Sequence, residues 1–417
     1  MKFLILNTDY PRVLDWLYSP HPGLGNRTYE EQMRARNESL FAVADFYSAN
    51  LRKLGHEAWD VHANNEFMQR AWAKEHGVRI SDPNLFIEFA RAASRQVRHV
   101  RGGDAFADGV KYLLTKTFRQ VKDRNNWLQE VLAEQIRYYQ PDVLINPILG
   151  QTISALLREL KPYIRLLIGQ IASPLPSDEN VFRNYDLMIS SLPNFVDYFR
   201  RLGIPSELHR LGFEPTVLEK LESKEKACIP ISFVGSLFQV HRERIRLLEL
   251  LSSEFEISIW GNHVEELPKS SRIRFRYVGP AWGIDMYHIL SRSKITLNHH
   301  IDVAQSYANN MRLFEATGVG TLLITDWKEN LHEMFEPGKE VVAYKSPEEC
   351  VELIKYYLEH DEERQTIARA GQQRTLREHT YYQRMEELVR IVSKHLSVSW
   401  EQTLLLAVNG TETYQGL

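Results

Sequence analysis

Short apolar runs alternate with amphipathic stretches along nearly the whole chain. The first run, Phe3 to Leu6, turns polar at Asn7 and is followed by a polar, glycine-bearing loop through Asn26. A helical period then covers 29–54 and stops at Gly55, which completes a strand–loop–helix unit. Ala58 to His62 reads as a second strand, and 142–146, 164–168 and 186–190 read as later ones with helical stretches between most of them. Strands that alternate with helices predict the α/β class and a parallel, doubly wound sheet. The interval 64–140 is mostly helical and too long for one crossover, so it is expected to be a helical insertion in this first domain.

The pattern lapses after Phe213 and resumes near Pro230. This places a first Rossmann-like domain at 1–213, a charged linker at 214–229 and a second Rossmann-like domain at 230–395. Strands are expected at 231–234, 255–260, 273–278, 294–298, 321–325 and 340–343, with helices starting near Arg242, Gly283, Asn310 and Pro347. Two more helical stretches begin near Asp361 and Thr380, and the tail, 396–417, is expected to pack back on the first domain.

Length and composition agree with two cores: 417 residues, 43% hydrophobic, exceed what one core organises. A net charge of -3 with 25% charged residues offers no basic field for nucleic acid and no disorder-like composition. Two cysteines, Cys228 and Cys350, cannot make a disulfide framework or a cysteine metal cluster, which fits a cytoplasmic protein. The apolar start is too short for a secretory leader or a membrane span. An arginine run at Arg91, Arg95, Arg98 and Arg101 has the spacing of a basic helix face, which leaves peripheral membrane contact or an anionic acceptor open beside a solvated surface.

Ligands of such sheets sit beyond the carboxyl ends of the strands. There Gly235 and Ser236 leave one strand, and Arg242 and Arg244 open the helix beyond. Cations at a helix N-terminus cost about 0.3–1 kcal/mol each, whereas a charge-assisted bond to phosphate contributes roughly 1.5–3 kcal/mol. Asn310, Met311, Arg312 and Glu315 form a second such start, with Asn309 or Asn310 as cap, Arg312 for phosphate and Glu315 for ribose hydroxyls. Gly279 and Pro280, with Trp282 or Trp260 nearby, are placed to read a base edge. Asn298, His299 and His300 are placed to line a sugar site, and they lack the third ligand a zinc site needs. In the first domain, Asp9 and His21 are the candidate bases for an acceptor hydroxyl. No Asp-x-Asp pair, Walker loop or Gly-x-Gly-x-x-Gly fingerprint occurs, so no metal and no cofactor is expected, and kinase and dehydrogenase readings recede.

Phe233-Val234-Gly235-Ser236, the run from Arg312 to Gly318, Thr325-Asp326, and Phe335 to Glu340 with Tyr381 and Arg384 together resemble the CgeB-like (spore maturation protein type, group 1) glycosyltransferases. The resemblance implies a GT-B fold, two Rossmann-like domains facing across a cleft. The C-terminal domain would hold a nucleoside-diphosphate sugar and the N-terminal one a glycan, protein or small-molecule acceptor. It implies Glu315 as the ribose-binding carboxylate and Arg312 with the Arg242/Arg244 region as diphosphate ligands. Where retaining relatives carry a first glutamate ahead of Glu315, this chain has Tyr307, so the base and the stereochemistry stay open. A nucleotide-sugar epimerase or hydrolase, and a non-catalytic nucleotide-sugar-binding protein, remain alternatives to a metal-independent glycosyltransferase. A periplasmic-type binding protein would want a secretion signal.

Overall fold

β1 (Lys2–Asn7) is the first apolar run, and it pairs in parallel on both sides, with β2 (Glu57–His62) and β3 (Val143–Asn146). β4 (Leu166–Gln170), β5 (Leu187–Ser190) and β6 (Ser206–Leu208) extend the sheet in the order 2-1-3-4-5-6. This computed structural model describes residues 1–80, 126–221, 228–238 and 241–412. The arginine run at 91–101 lies outside them; of the expected insertion, the helices Glu66–Glu75 and Asn126–Tyr139 are described.

A second parallel sheet contains β7 (Ile229–Ser236), β8 (Ser258–Asn262), β9 (Tyr277–Gly279), β10 (Ser293–Leu297), β11 (Leu322–Asp326) and β12 (Val342–Tyr344). Its order is 12-11-10-7-8-9. Both sheets reverse direction next to their first strand, at β1/β3 and at β7/β10. Loops leaving neighbouring strands there diverge and open a crevice.

Buried apolar side chains explain how the two sheets hold together. Leu4, Leu6, Leu144 and Leu167 fill one face of the first sheet, and Ile231, Ile259, Ile295 and Ile324 one face of the second. The remaining faces share a single core in which Phe3, Ile5 and Val143 join Phe314, Leu323 and Tyr381. The last helix, Tyr381–Glu412, returns to the N-terminal half, with the rings of Phe46 and Tyr381 5.2 Å apart. Segment 214–229 is not all loop: it contains the helix Thr216–Lys220, and buried Glu214 accepts from Asn50 Nδ2 at 2.6 Å.

Three local expectations need correction. The 29–54 pattern is two helices, Tyr29–Glu38 and Phe46–Lys53, interrupted where Leu40, Ala42 and Ala44 take positive φ. The loop after β1 contains the helix Pro11–Tyr18, with proline at a first-turn position that needs no amide donor. Of the strand expected at 273–278, Ile273–Arg276 is a helical turn and only β9 pairs, across an irregular register at Ile259/Trp260.

The shared core also contains two histidines that burial keeps neutral. Burial, then the charge of Arg384, lowers the His209 pKa to about 3; burial likewise lowers His379 to about 4 although its Nε2 bonds Met334 O at 2.8 Å. Both folded values lie below the ordinary value of about 6.5, so the unfolded chain binds more protons as pH falls through that value. Stability is fully present above about pH 6.5 and is expected to drop by up to about 1.4 kcal/mol per histidine for each unit below it, down to the folded pKa. Denaturant melts at pH 7.5, 6 and 5 test this; replacing His209 by Gln should flatten the slope.

Candidate functional site

The crevices of the two sheets face a cleft of about 820 Å³. Its C-terminal wall begins at the helix Met311–Gly318. Asn310 caps that helix, accepting from Leu313 N at 3.2 Å, while its Nδ2 bonds Asn298 Oδ1 at 2.6 Å and so fixes the helix start to the end of β10. Asn298 in turn donates to Thr325 Oγ1 at 2.9 Å, beneath the end of β11.

Arg312 and Glu315 stand on the first turns of this helix and both line the cleft. Arg312 Nη1 is 2.8 Å from Glu315 Oε2, Arg312 Nη2 donates to Val234 O at 3.0 Å, and its Nε has no partner among the described residues. Burial raises the Glu315 pKa, and the Arg312 charge opposes the rise. Arg244 reaches in from the next helix, Arg242–Glu254, with Nη1 on Ser236 O at 3.2 Å and Nη2 on His299 O at 2.7 Å. Burial lowers its pKa to about 10, which leaves it protonated at neutral pH. Two guanidinium groups and the free amides of a capped helix therefore point to one anionic ligand.

The N-terminal wall comes from Tyr10, Pro11, Arg12, Phe41 and Ala42. Phe41 belongs to the irregular 39–45 segment, whose shape is held from behind. Arg36 Nη1 donates to Phe41 O at 3.1 Å, its guanidinium lies 5.1 Å from the Phe41 ring centre, and that ring meets Trp282 edge-on at 5.5 Å. Ser39 O accepts from Ile284 N at 2.9 Å, and Arg12 pairs with Glu265, so the two walls touch directly.

Gly235, Ser236, Asn298, Asn310, Met311, Arg312, Glu315 and Arg244 thus converge on one cleft. Other expected members do not. Arg242, two residues before Arg244, is exposed and does not line the cleft, nor do Gly279, which ends the edge strand β9, and Pro280 just after it; Trp282 rather than Trp260 lines the cleft. His299 and His300 line a neighbouring cavity. His21 is exposed outside the cleft. Asp9 is buried, with Oδ1 accepting from Arg36 Nε at 2.8 Å and Oδ2 2.9 Å from His62 Nδ1. Burial acts to raise its pKa, but His62 and Arg36 hold it well below the usual carboxylate range. A walled-in, weakly basic carboxylate cannot take a proton from an acceptor. Its role is to brace Arg36 and through it Phe41. Asp9→Asn should lower stability by roughly 1.5–3 kcal/mol, the scale of hydrogen bonds to charged groups, as read from denaturant melts.

The Arg36–Phe41 brace and the 39–45 break were not anticipated. A signal was present: five consecutive apolar residues, Leu40 to Ala44, end the 3.6-residue period. Among the described residues no group of His, Cys, Asp or Glu is arranged to hold a metal ion, and no helix is long and apolar enough to cross a membrane.

A family model described as glycosyl transferase-like matches residues 242–390, the span that contains Arg244, Arg312 and Glu315. The match covers 149 of the 417 residues, all of them after β7. No curated protein matches the sequence. Among solved structures, Anabaena HepE in complex with UDP-glucose is 11% identical, with 94% of this chain and 100% of that one covered at a TM-score of 0.54. A glycosyltransferase from Rickettsia africae is 11% identical over 95% and 98% at 0.52. Sucrose-phosphate synthase from Thermosynechococcus elongatus is 10% identical over 95% and 100% at 0.53. These likenesses establish the fold as GT-B, and the anion-directed wall lies within the span that the family model matches.

Proposed function

We propose that this chain is a metal-independent glycosyltransferase that moves a sugar from a nucleoside-diphosphate sugar to the hydroxyl of a glycan, protein or small-molecule acceptor. The observation that carries the reading is the convergence of Arg244, Arg312 and the Asn310-capped helix start on one cleft inside the glycosyl transferase-like span. Diphosphate would sit against the guanidinium groups and free amides, which neutralise it without a divalent ion or other cofactor. The Glu315 carboxylate would accept from ribose hydroxyls. Bond making joins the acceptor oxygen to the anomeric carbon as the carbon–oxygen bond to the diphosphate breaks. The acceptor proton leaves to a base not among Asp9 and His21. The bound UDP-glucose of HepE supports this class of donor by fold alone.

Kinship with the CgeB-like branch is part of the proposal and rests on the motifs around Ser236, Arg312 and Glu315; so is a cytoplasmic site of action. Calorimetry with UDP, GDP, dTDP and ADP tests the whole. One nucleotide should bind in the micromolar range, and an absence of binding to all four would remove the basis of the reading. A nucleotide-sugar epimerase would convert its donor with no acceptor present, which product analysis resolves.

A further inference from the structure

We propose that a second cavity, beside the nucleotide cleft, is a carbohydrate subsite. It measures about 840 Å³ and opens at the carboxyl ends of β10, β11 and β12, between the helices Arg242–Glu254 and Pro347–Glu359. Arg244 forms the partition, since it bonds Ser236 on the cleft side and His299 on the other. The inference goes beyond the donor reading, because it assigns a ligand to a space the nucleotide does not need.

Three features identify the ligand chemistry. His300, 2% exposed, lines the cavity with Nδ1 2.6 Å from Asp326 Oδ1, and its Nε2 has no partner among the described residues. Asp326 also accepts from His300 N at 3.0 Å and faces Lys328 Nζ at 3.3 Å. Burial would raise this carboxyl, but His300 holds it well below the usual range. With Nδ1 engaged by Asp326, Nε2 is left as a buried polar atom in need of a hydrogen-bond partner, and a sugar hydroxyl can serve it as donor or acceptor.

Trp327 supplies a platform. It follows β11 directly, its backbone N–H donates to Tyr344 O at 2.7 Å, and the residue stays 45% exposed while Lys345 Nζ lies 5.5 Å from its ring centre. A half-bare indole beside hydrogen-bonding groups matches a pyranose, whose C–H face packs on an aromatic while its hydroxyls reach polar partners. The charges on the walls have both signs, Asp302 and Glu348 against Lys328 and Lys345. Such a mixture favours a neutral polyol over a second nucleotide, whose phosphates would meet carboxylates.

Ligand-detected NMR on the full chain, using glucose, galactose, mannose, N-acetylglucosamine and maltose as probes, with and without saturating UDP, tests the assignment. At least one sugar should bind, equally well when UDP is present. Trp327→Ala should weaken that sugar at least tenfold, Trp327→Phe by less, and His300→Gln should also weaken it, while Trp327→Ala leaves the UDP dissociation constant unchanged. Far-UV circular dichroism and thermal melts of Trp327→Ala and Trp327→Phe guard against a folding defect. The proposal is overturned if no sugar binds, if Trp327→Ala leaves sugar affinity intact, or if UDP displaces the sugar, which would place it in the cleft. UDP binding without sugar binding would end this proposal alone; failure of every nucleotide to bind would end the donor reading alone.

Discussion

Gly283→Ala is expected to separate the two walls of the cleft and to lower stability by about 2–4 kcal/mol. Gly283 begins the helix Gly283–Ser291 at φ +49°, and a Cβ built on it would stand 1.9 Å from Ser39 O, a backbone atom that cannot rotate away. Alanine in a left-handed conformation costs roughly 1–2 kcal/mol, and the clash also breaks the Ile284 N to Ser39 O bond, worth about 1 kcal/mol. Ser39 opens the irregular segment that presents Phe41 and Ala42, so the change reaches the N-terminal wall of the site. Small-angle scattering should show a larger radius of gyration than wild type. Gly203→Ala is the control: it has φ +73° but nothing within 4 Å of the added carbon, so it carries the strain without the opening. Equal scattering curves for wild type and Gly283→Ala would show that the contact does not set the domain spacing.

This contact also marks the limit of what the residues alone reveal. The parallel α/β build was legible because buried strands such as Leu323 and Ile324 are continuous apolar runs and helices follow them at short intervals. The C-terminal wall of the cleft was legible for a similar reason: Asn310, Arg312 and Glu315 lie within six residues, and capping and helix-start chemistry are local. Local reading failed where distant segments decide. Arg242 and Arg244 look equivalent in sequence, and only the helix rotation that buries Arg244 against Ser236 and His299 tells them apart. Asp9 looked like a free loop carboxylate, whereas Arg36 and His62 arrive from two other elements to enclose it. The 39–45 break is held open by Arg36 on one side and Gly283 on the other, contacts that a helical period does not encode.

Arg312→Ala should have the largest effect on ligand binding, weakening the nucleotide roughly 10- to 100-fold, because the substitution removes a charge-assisted phosphate bond of roughly 1.5–3 kcal/mol and leaves a buried carboxylate facing the ligand. Glu315 is 5% exposed and its pKa is already raised by burial; without Arg312, whose charge opposes that rise, it would take up a proton more readily or, while charged, repel the diphosphate. An Arg/Glu pair at this spacing is also an ordinary helix contact, so loss of stability alone would not establish a ligand role. The double variant Arg312→Ala, Glu315→Gln separates the two. Removing the orphaned charge should restore most of the lost melting temperature, since breaking a buried pair costs about 3–5 kcal/mol mainly through the unpaired partner. Nucleotide affinity should stay low, because the phosphate ligand is still missing. Recovery of both quantities together would reduce Arg312 to a structural residue and shift the diphosphate to Arg244. Lysine at 312 should recover little affinity, since one ammonium cannot span Val234 O, Glu315 and a phosphate as the planar guanidinium does.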